Sequence, residues 1–181
     1  MREDSDGALA RRAAAGDREA FAALVERHYG LIFRVGTRAL GNDEEAADLA
    51  QDVCVGLVAG LSSYRGESRF TTWLYRVVIN AARDRMRRTG TQRRHERDYA
   101  EVDAMTRAGQ AALDDEATWL RQVLAGLGDD LRLTVSLVLE EGLRHAEAAS
   151  VLGVAESTVS WRMHEVRRHV RAAAAEEERA P

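Results

Sequence analysis

The sequence predicts an all-α protein: two small helical domains joined by a flexible linker, the C-terminal one a helix-turn-helix. Three observations carry that prediction. Proline occurs once in 181 residues, at the terminus, so nothing in the interior forces a helix to break. Alanine, leucine and arginine, all good helix formers, recur along the chain, while runs of β-branched residues are few. Apolar residues repeat at helical spacing over long stretches on both sides of a polar segment, 89–109, that has no sustained apolar period.

Residues 1–14 are read as an N-terminal segment preceding the first domain, 15–89. Asp17 caps a helix that runs to about Leu40 with Phe21, Leu24, Val25, Leu31, Ile32 and Val35 as its apolar positions, and Gly41 ends it. Asn42 caps a second helix whose first turn holds Asp43, Glu44 and Glu45, where carboxylates suit the helix dipole. Its apolar arc is Ala46, Leu49, Ala50, Val53, Leu57 and Leu61, which leaves Asp48, Gln51, Asp52 and Val55 outside. A valine facing outward among acids signals a partner. Cys54, at the edge of the arc, reads as a buried structural thiol; the chain has no second cysteine to pair with it.

The stretch YRGESRFTTWLYRVVINAARDRMRR, 64–88, concentrates four of the ten aromatic residues and seven arginines. Counted at 100° per residue from Trp73, the side chains of Arg76, Asn80, Arg83 and Arg87 share one polar stripe, with Asp84 at its edge. Leu74, Tyr75, Val77, Val78, Ala81 and Ala82 form the opposite arc, wide enough to bury and so fix the direction of the stripe. The preceding loop adds Tyr64, Phe70 and two more arginines. A solvated basic face and a surface for unpaired bases both fit this pattern; aromatics beside cations favour the second, because bases stack on rings and phosphates pair with guanidinium groups.

Beyond the linker, taken as 90–112, helices are expected near 115–126, 129–141, 144–152 and 156–172 in a second domain, 113–172. The residues 173–181 form a tail, a fraying helix end. Within HAEAASVLGVAESTVSWRMH, Ala149, Gly153 and Val159 occupy the offsets of a helix-turn-helix: a small residue at the crossing, a glycine in the turn and an apolar anchor in the second helix. The second helix turns Val159, Met163, Val166 and Val170 inward. Ser157, Trp161, His164 and Arg168 lie outward, with Thr158, Ser160 and Arg162 beside them. Any two-helix corner also wants a small residue and a glycine, so the motif gains weight from its place after a basic aromatic segment and a linker.

Charge sharpens the functional choice. The formal net charge is −4, yet residues 61–98 carry +6 and 142–171 carry +2. Two basic islands in an acidic chain bind free duplex poorly, since nonspecific affinity follows phosphate neutralisation. All 26 basic residues are arginine, for which codon bias in a GC-rich genome is the simplest explanation. No apolar run approaches the roughly twenty residues that span a bilayer, and MREDSDGALARR lacks a signal peptide's apolar block, so a cytoplasmic protein without membrane insertion is expected. No glycine-rich phosphate loop, metal-ligand cluster or nucleophile with an adjacent base stands out, and Asp114 with Asp115 reads as a cap. The expectation is no enzyme, no metal and no cofactor.

The three strings DEEAADLAQDVCVGL, YRGESRFTTWLYRVVINAARDRMRR and EGLRHAEAASVLGVAESTVSWRMHEVRRHVR, in that order, resemble the extracytoplasmic-function sigma factors of bacterial RNA polymerase. The likeness covers about 15–172. It implies a promoter-recognition subunit whose partners are core RNA polymerase, promoter DNA and an anti-sigma factor. By resemblance, Asp48, Gln51, Asp52 and Val55 dock on the polymerase clamp. The loop Tyr64, Arg65, Glu67, Ser68, Arg69 and Phe70 holds a flipped minus-10 base, Arg76 and Asn80 line the strand, Arg83 and Arg87 meet phosphate, and Trp73 belongs to the same minus-10 surface. Ser157, Thr158, Ser160, Trp161, Arg162, His164 and Arg168 face the minus-35 element from a helix starting at Glu156. Many members place a basic residue and then serine ahead of the arginine matching Arg162, whereas this chain has Ser160 and Trp161. The alternative is a free-standing helix-turn-helix regulator whose N-terminal helices dimerise or sense a ligand; an acidic chain without its own docking charge argues against it.

Overall fold

The computed structural model describes residues 4–89, 119–120, 123–124, 126–177 and 179, and every regular element among them is helical. Two compact units divide the chain, one within 1–92 and one within 93–181. The linker expected at 90–112 and the pair Asp114 and Asp115 lie outside the described residues, as does most of the helix expected at 115–126.

The first unit holds α1 (Asp6–Ala14), α2 (Arg18–Leu40), α3 (Asp43–Gly60), a 3-10 turn (Leu61–Ser63) and α4 (Phe70–Thr89). The caps of α2 are those read from the sequence. Asp17 Oδ1 accepts from the backbone N–H groups of Glu19 and Ala20, both at 3.0 Å, and Gly41 closes the helix at φ +71°, where a side chain would be strained. The N–H of Ala20 and the guanidinium of Arg12 hold the Asp17 carboxyl below the usual carboxylate range. Asn42 Oδ1 accepts from Glu45 at 2.9 Å to start α3, and Thr37 donates to Asp43 at 3.0 Å across the corner.

Helix α2 is the axis of this unit, packing on α1, α3 and α4. Its Ile32 and Leu40 meet a core that includes Leu49 of α3 and Leu74, Val78 and Ile79 of α4, all fully buried. Each such side chain contributes about 1.5–3 kcal/mol when removed from water. Of the apolar positions assigned to α2, Leu24, Ile32 and Val35 are buried, while Phe21, Val25 and Leu31 are half-buried; the arc assigned to α3 is buried throughout. Cys54 is half-buried, and burial pushes its thiol pKa up, away from reactive thiolate.

Gly36 sets how closely α2 and α3 approach. A Cβ there would lie 3.3 Å from Leu49 Cδ2 and 3.4 Å from Ala46 Cβ. Gly36→Val is expected to lower stability by about 1–3 kcal/mol through overpacking, read as a lower urea midpoint with unchanged slope. Gly36→Ala costs less, because about 0.5–1 kcal/mol of helix propensity offsets the tight contact.

Within the stretch read from the sequence as an N-terminal segment, Asp6–Ala14 form α1, which buries Leu9 and Ala10 on the rest of the unit. Asp6 anchors it: Oδ1 lies 2.6 Å from Arg27 Nη1, and Oδ2 lies 3.1 Å from Nε2 of the buried His28 without the alignment of a hydrogen bond. One leucine and four alanines in nine residues establish no helical period, which is why the sequence concealed this helix.

The second unit contains α5 (Asp129–Val135), a π-helical turn (Ser136–Glu140), α6 (His145–Leu152) and α7 (Glu156–Glu177). The helix expected at 129–141 therefore changes hand-over of its hydrogen bonds midway, with Glu141 N–H reaching Ser136 O at 3.0 Å. Glu147 fixes the start of α6 by accepting from the Arg144 backbone N–H at 3.0 Å. Gly153, at φ +70°, makes the turn, and Ala149 and Val159 are buried where α6 and α7 cross. Met163 and Val166 continue the buried stripe, and Val170 is half-buried. Helix α7 runs five residues past the expected boundary at 172, through the alanine run that favours helix.

Candidate nucleic-acid interface

Three surfaces answer to the residues singled out in the sequence. On α3, Asp48, Gln51, Asp52 and Val55 are all exposed. Val55 is 74% exposed and Val58, one turn on, is 67% exposed, so two valines stand in solvent beside the acids. Arg85 of α4 reaches this face, its guanidinium 3.0 Å from Asp48 and 3.4 Å from Asp52. The sequence reading passed over both Val58 and Arg85. Val58 follows Val55 at the i+3 spacing that should have paired them. Arg85 stands seven residues after Val78, so it extends the buried arc of α4 onto α3.

In the loop ahead of α4, Gly66 takes φ +77° and the Tyr64 hydroxyl donates to the Ser68 carbonyl at 2.9 Å, closing the turn. Arg65, Glu67, Ser68 and Arg69 are exposed. Behind them the rings of Tyr64, Phe70 and Trp73 form a cluster with centroids 5.5–5.7 Å apart, and His28 backs Phe70 at 5.3 Å. Edge-to-face and tilted contacts of this kind stabilise by about 0.5–1.5 kcal/mol each. Phe70 is the correction here: at 3% exposure it cannot stack on a base, and it serves as the floor on which Tyr64 and Trp73 rest.

Along α4 the stripe is as the spacing predicts. Arg76, Asn80 and Arg87 are exposed and Arg83 half-buried, while Leu74, Tyr75, Val78 and Ala82 are buried and Val77 and Ala81 half-buried. Asp84 pairs with Arg87 one turn away and reduces the charge at that end of the stripe.

The outward face of α7 presents Ser157, Ser160, Trp161, His164 and Arg168 to solvent, with Thr158 half-buried. Ser160 Oγ sits 3.0 Å from His145 Nδ1, and Arg168 Nη2 lies 2.6 Å from Glu165. Arg162 does not belong to this face. It is 8% exposed, with Nη2 2.5 Å from Asp130 Oδ2 and Nη1 3.5 Å from Thr134 Oγ1, so it ties α7 to α5. Counting from Val159, Arg162 falls 60° off the buried stripe rather than opposite to it, and the length of its side chain carries the charge back to Asp130. Asp130→Ala is expected to destabilise this unit more than Arg162→Leu, by about 1–3 kcal/mol, because it strands a buried guanidinium whereas the leucine fills the same space. Melting of the two variants compares them directly, and equal losses would mean that the packing of the side chain matters more than its charge.

No helix among the described residues is long and apolar enough to cross a membrane, and no group of metal-ligating side chains comes together among them.

The family model Sigma-70 region 2 matches residues 24–92. RNA polymerase sigma-H factor of Pseudomonas aeruginosa is 31% identical over 180 residues, covering 92% of each chain. ECF RNA polymerase sigma factor SigM of Mycobacterium tuberculosis is 34% identical, covering 88% of this chain and 80% of its own. Among solved structures, CnrH in complex with the cytosolic domain of CnrY superposes with a TM-score of 0.66 at 27% identity, over 95% of this chain. The sigma factor RpoE, solved with the anti-sigma factor NepR from Bartonella quintana, superposes with a TM-score of 0.65 at 20% identity and shows the shared fold.

Proposed function

The chain belongs to the extracytoplasmic-function sigma factors of RNA polymerase, and from that premise we propose how its surfaces divide the work of promoter-specific initiation. The carrying observation is coverage: the likeness to sigma-H runs over 92% of the chain, so it takes in both helical units rather than the first alone. A free-standing regulator with an unrelated N-terminal domain is not compatible with that extent.

The exposed face of α3, with Asp48, Gln51, Asp52, Val55 and the added Val58, docks on core RNA polymerase. The loop 64–69 and the α4 stripe act on the minus-10 element. Extruding a base costs a few kcal/mol of stacking, and Tyr64 and Trp73, held on Phe70, offset part of it by receiving that base. Arg76 and Asn80 line the separated strand, while Arg83 and Arg87 meet its phosphates. Helix α7 presents Ser157, Trp161 and His164 to the minus-35 groove, Thr158 and Arg168 flank it, and Ser160 braces α6 through His145.

The chain directs the polymerase and carries no catalytic step of its own; it works in the cytoplasm, where the polymerase is. Its other partner is an anti-sigma factor, in keeping with RpoE, which is solved bound to one. Such a partner would have to cover the α3 or DNA-facing surfaces to silence it. Transcription reconstituted from core polymerase and this chain on a library of randomised promoters tests the assignment: a recovered pair of spaced sequence elements is the expected result, and no initiation above core polymerase alone would refute it.

A further inference from the structure

The upstream base preference of this chain follows from which side chains of α7 remain available, and it deepens the sigma assignment on which it rests. Guanine is read in the major groove by a forked cation, and adenine by a side-chain amide. Helix α7 has no asparagine or glutamine anywhere. The arginine in its first two turns, Arg162, is buried and held by Asp130. The next arginines begin at 167, beyond the N-terminal part of the helix that enters the groove, and Arg168 is paired with Glu165. Ser160 is engaged by His145 from the preceding helix.

What is left at the front of the helix is the carboxylate of Glu156, the hydroxyls of Ser157 and the half-buried Thr158, the imidazole of His164 and, largest of all, the indole of Trp161. Trp161 is 59% exposed, and no ring among the described residues stacks on it. An apolar ring standing free on a groove-facing surface needs an apolar partner, and the thymine C5-methyl is the apolar group on the major-groove edges of the four standard bases. We propose that Trp161 reads a thymine methyl in the upstream promoter element, and that Arg162 contributes no base specificity.

The test isolates one methyl group. Holoenzyme made with the wild-type chain is first selected on a library randomised upstream, and the enriched site is then rebuilt with deoxyuridine in place of thymidine, one position at a time. At one position the loss of the methyl lowers initiation roughly fourfold, the factor that burying a methyl group corresponds to. Trp161→Ala, an exposed substitution that leaves the fold alone, gives the same drop on the thymine site and no further drop on the uracil site. Trp161→Phe retains most of the discrimination, and 5-methylcytosine at that position restores part of what cytosine loses. Initiation by the wild type with no position sensitive to the methyl would overturn the proposal alone. So would a Trp161→Ala defect of equal size on thymine and uracil sites, which would place the indole against protein. Absence of initiation on any template would overturn the sigma assignment itself.

Discussion

Val55→Asp combined with Val58→Asp lowers affinity for core RNA polymerase by about thirtyfold, the effect of losing a central apolar contact worth about 2 kcal/mol. The melting temperature stays that of the parent, because both side chains are already in water and their removal takes nothing from the core. Two apolar side chains at i, i+3 on a helix whose neighbours are Asp48, Gln51 and Asp52 make a patch with an apolar centre and an acidic rim. Such a patch suits a basic partner with a hydrophobic recess. Charge reversal of Asp48 and Asp52 to arginine should also weaken association, with a steeper loss at low salt, since rim charges act on the encounter rate. That double variant also removes the pairing with Arg85, but exposed ion pairs contribute only about 0–1 kcal/mol, so the fold survives it. Co-purification of the valine variant with polymerase at the parent's level would remove α3 from the docking surface.

The second large effect falls on promoter opening. Asn80→Ala or Arg76→Ala reduces the rate of open-complex formation about tenfold, as expected where a contact of roughly 1.4 kcal/mol is made only after the strands separate. Polymerase binding by the same variants should stay unchanged, because the stripe lies on α4 and the residues proposed for docking lie on α3. Permanganate footprinting of unpaired thymines at the minus-10 element measures opening, and gel filtration with core enzyme measures binding. If both fall together, α4 acts as scaffold rather than as DNA contact. Tyr64→Ala should resemble Asn80→Ala, whereas Phe70→Ala should also lower stability, by about 3–5 kcal/mol, because its ring is buried under the loop.

The sequence made most of the helical framework legible because its signals were local. Asp17, Asn42, Gly41 and Gly153 are caps and turns whose chemistry acts over three or four residues, and each stands at the predicted helix end. The buried arc of α3 and the stripe of α4 are periodic over about four turns, long enough for spacing to decide orientation. Failures came where side-chain reach or a remote partner decided the outcome. Arg162 lies near the edge of the inward stripe, and only the presence of Asp130, thirty-two residues earlier in the chain, turns it inward. Phe70 opens α4 and was grouped with its loop, but α2 brings His28 against it and closes the core over its ring. The helix α1 gave no period to read, and Arg85 revealed its role only once α3 lay beside α4. The candidate surfaces were thus visible as compositions, and the structure sorted their members into those that face solvent and those that hold the face in place.

On the proposed division of labour, two arginine-bearing faces on an acidic chain engage promoter DNA only when polymerase delivers them. Footprinting at about 0.15 M salt, where Debye screening acts within roughly 8 Å, tests it on a promoter recovered from the library. The isolated chain should give no protection at concentrations where the holoenzyme covers both the minus-35 and the minus-10 element. Specific protection by the isolated chain, unchanged when core polymerase is added, would contradict it.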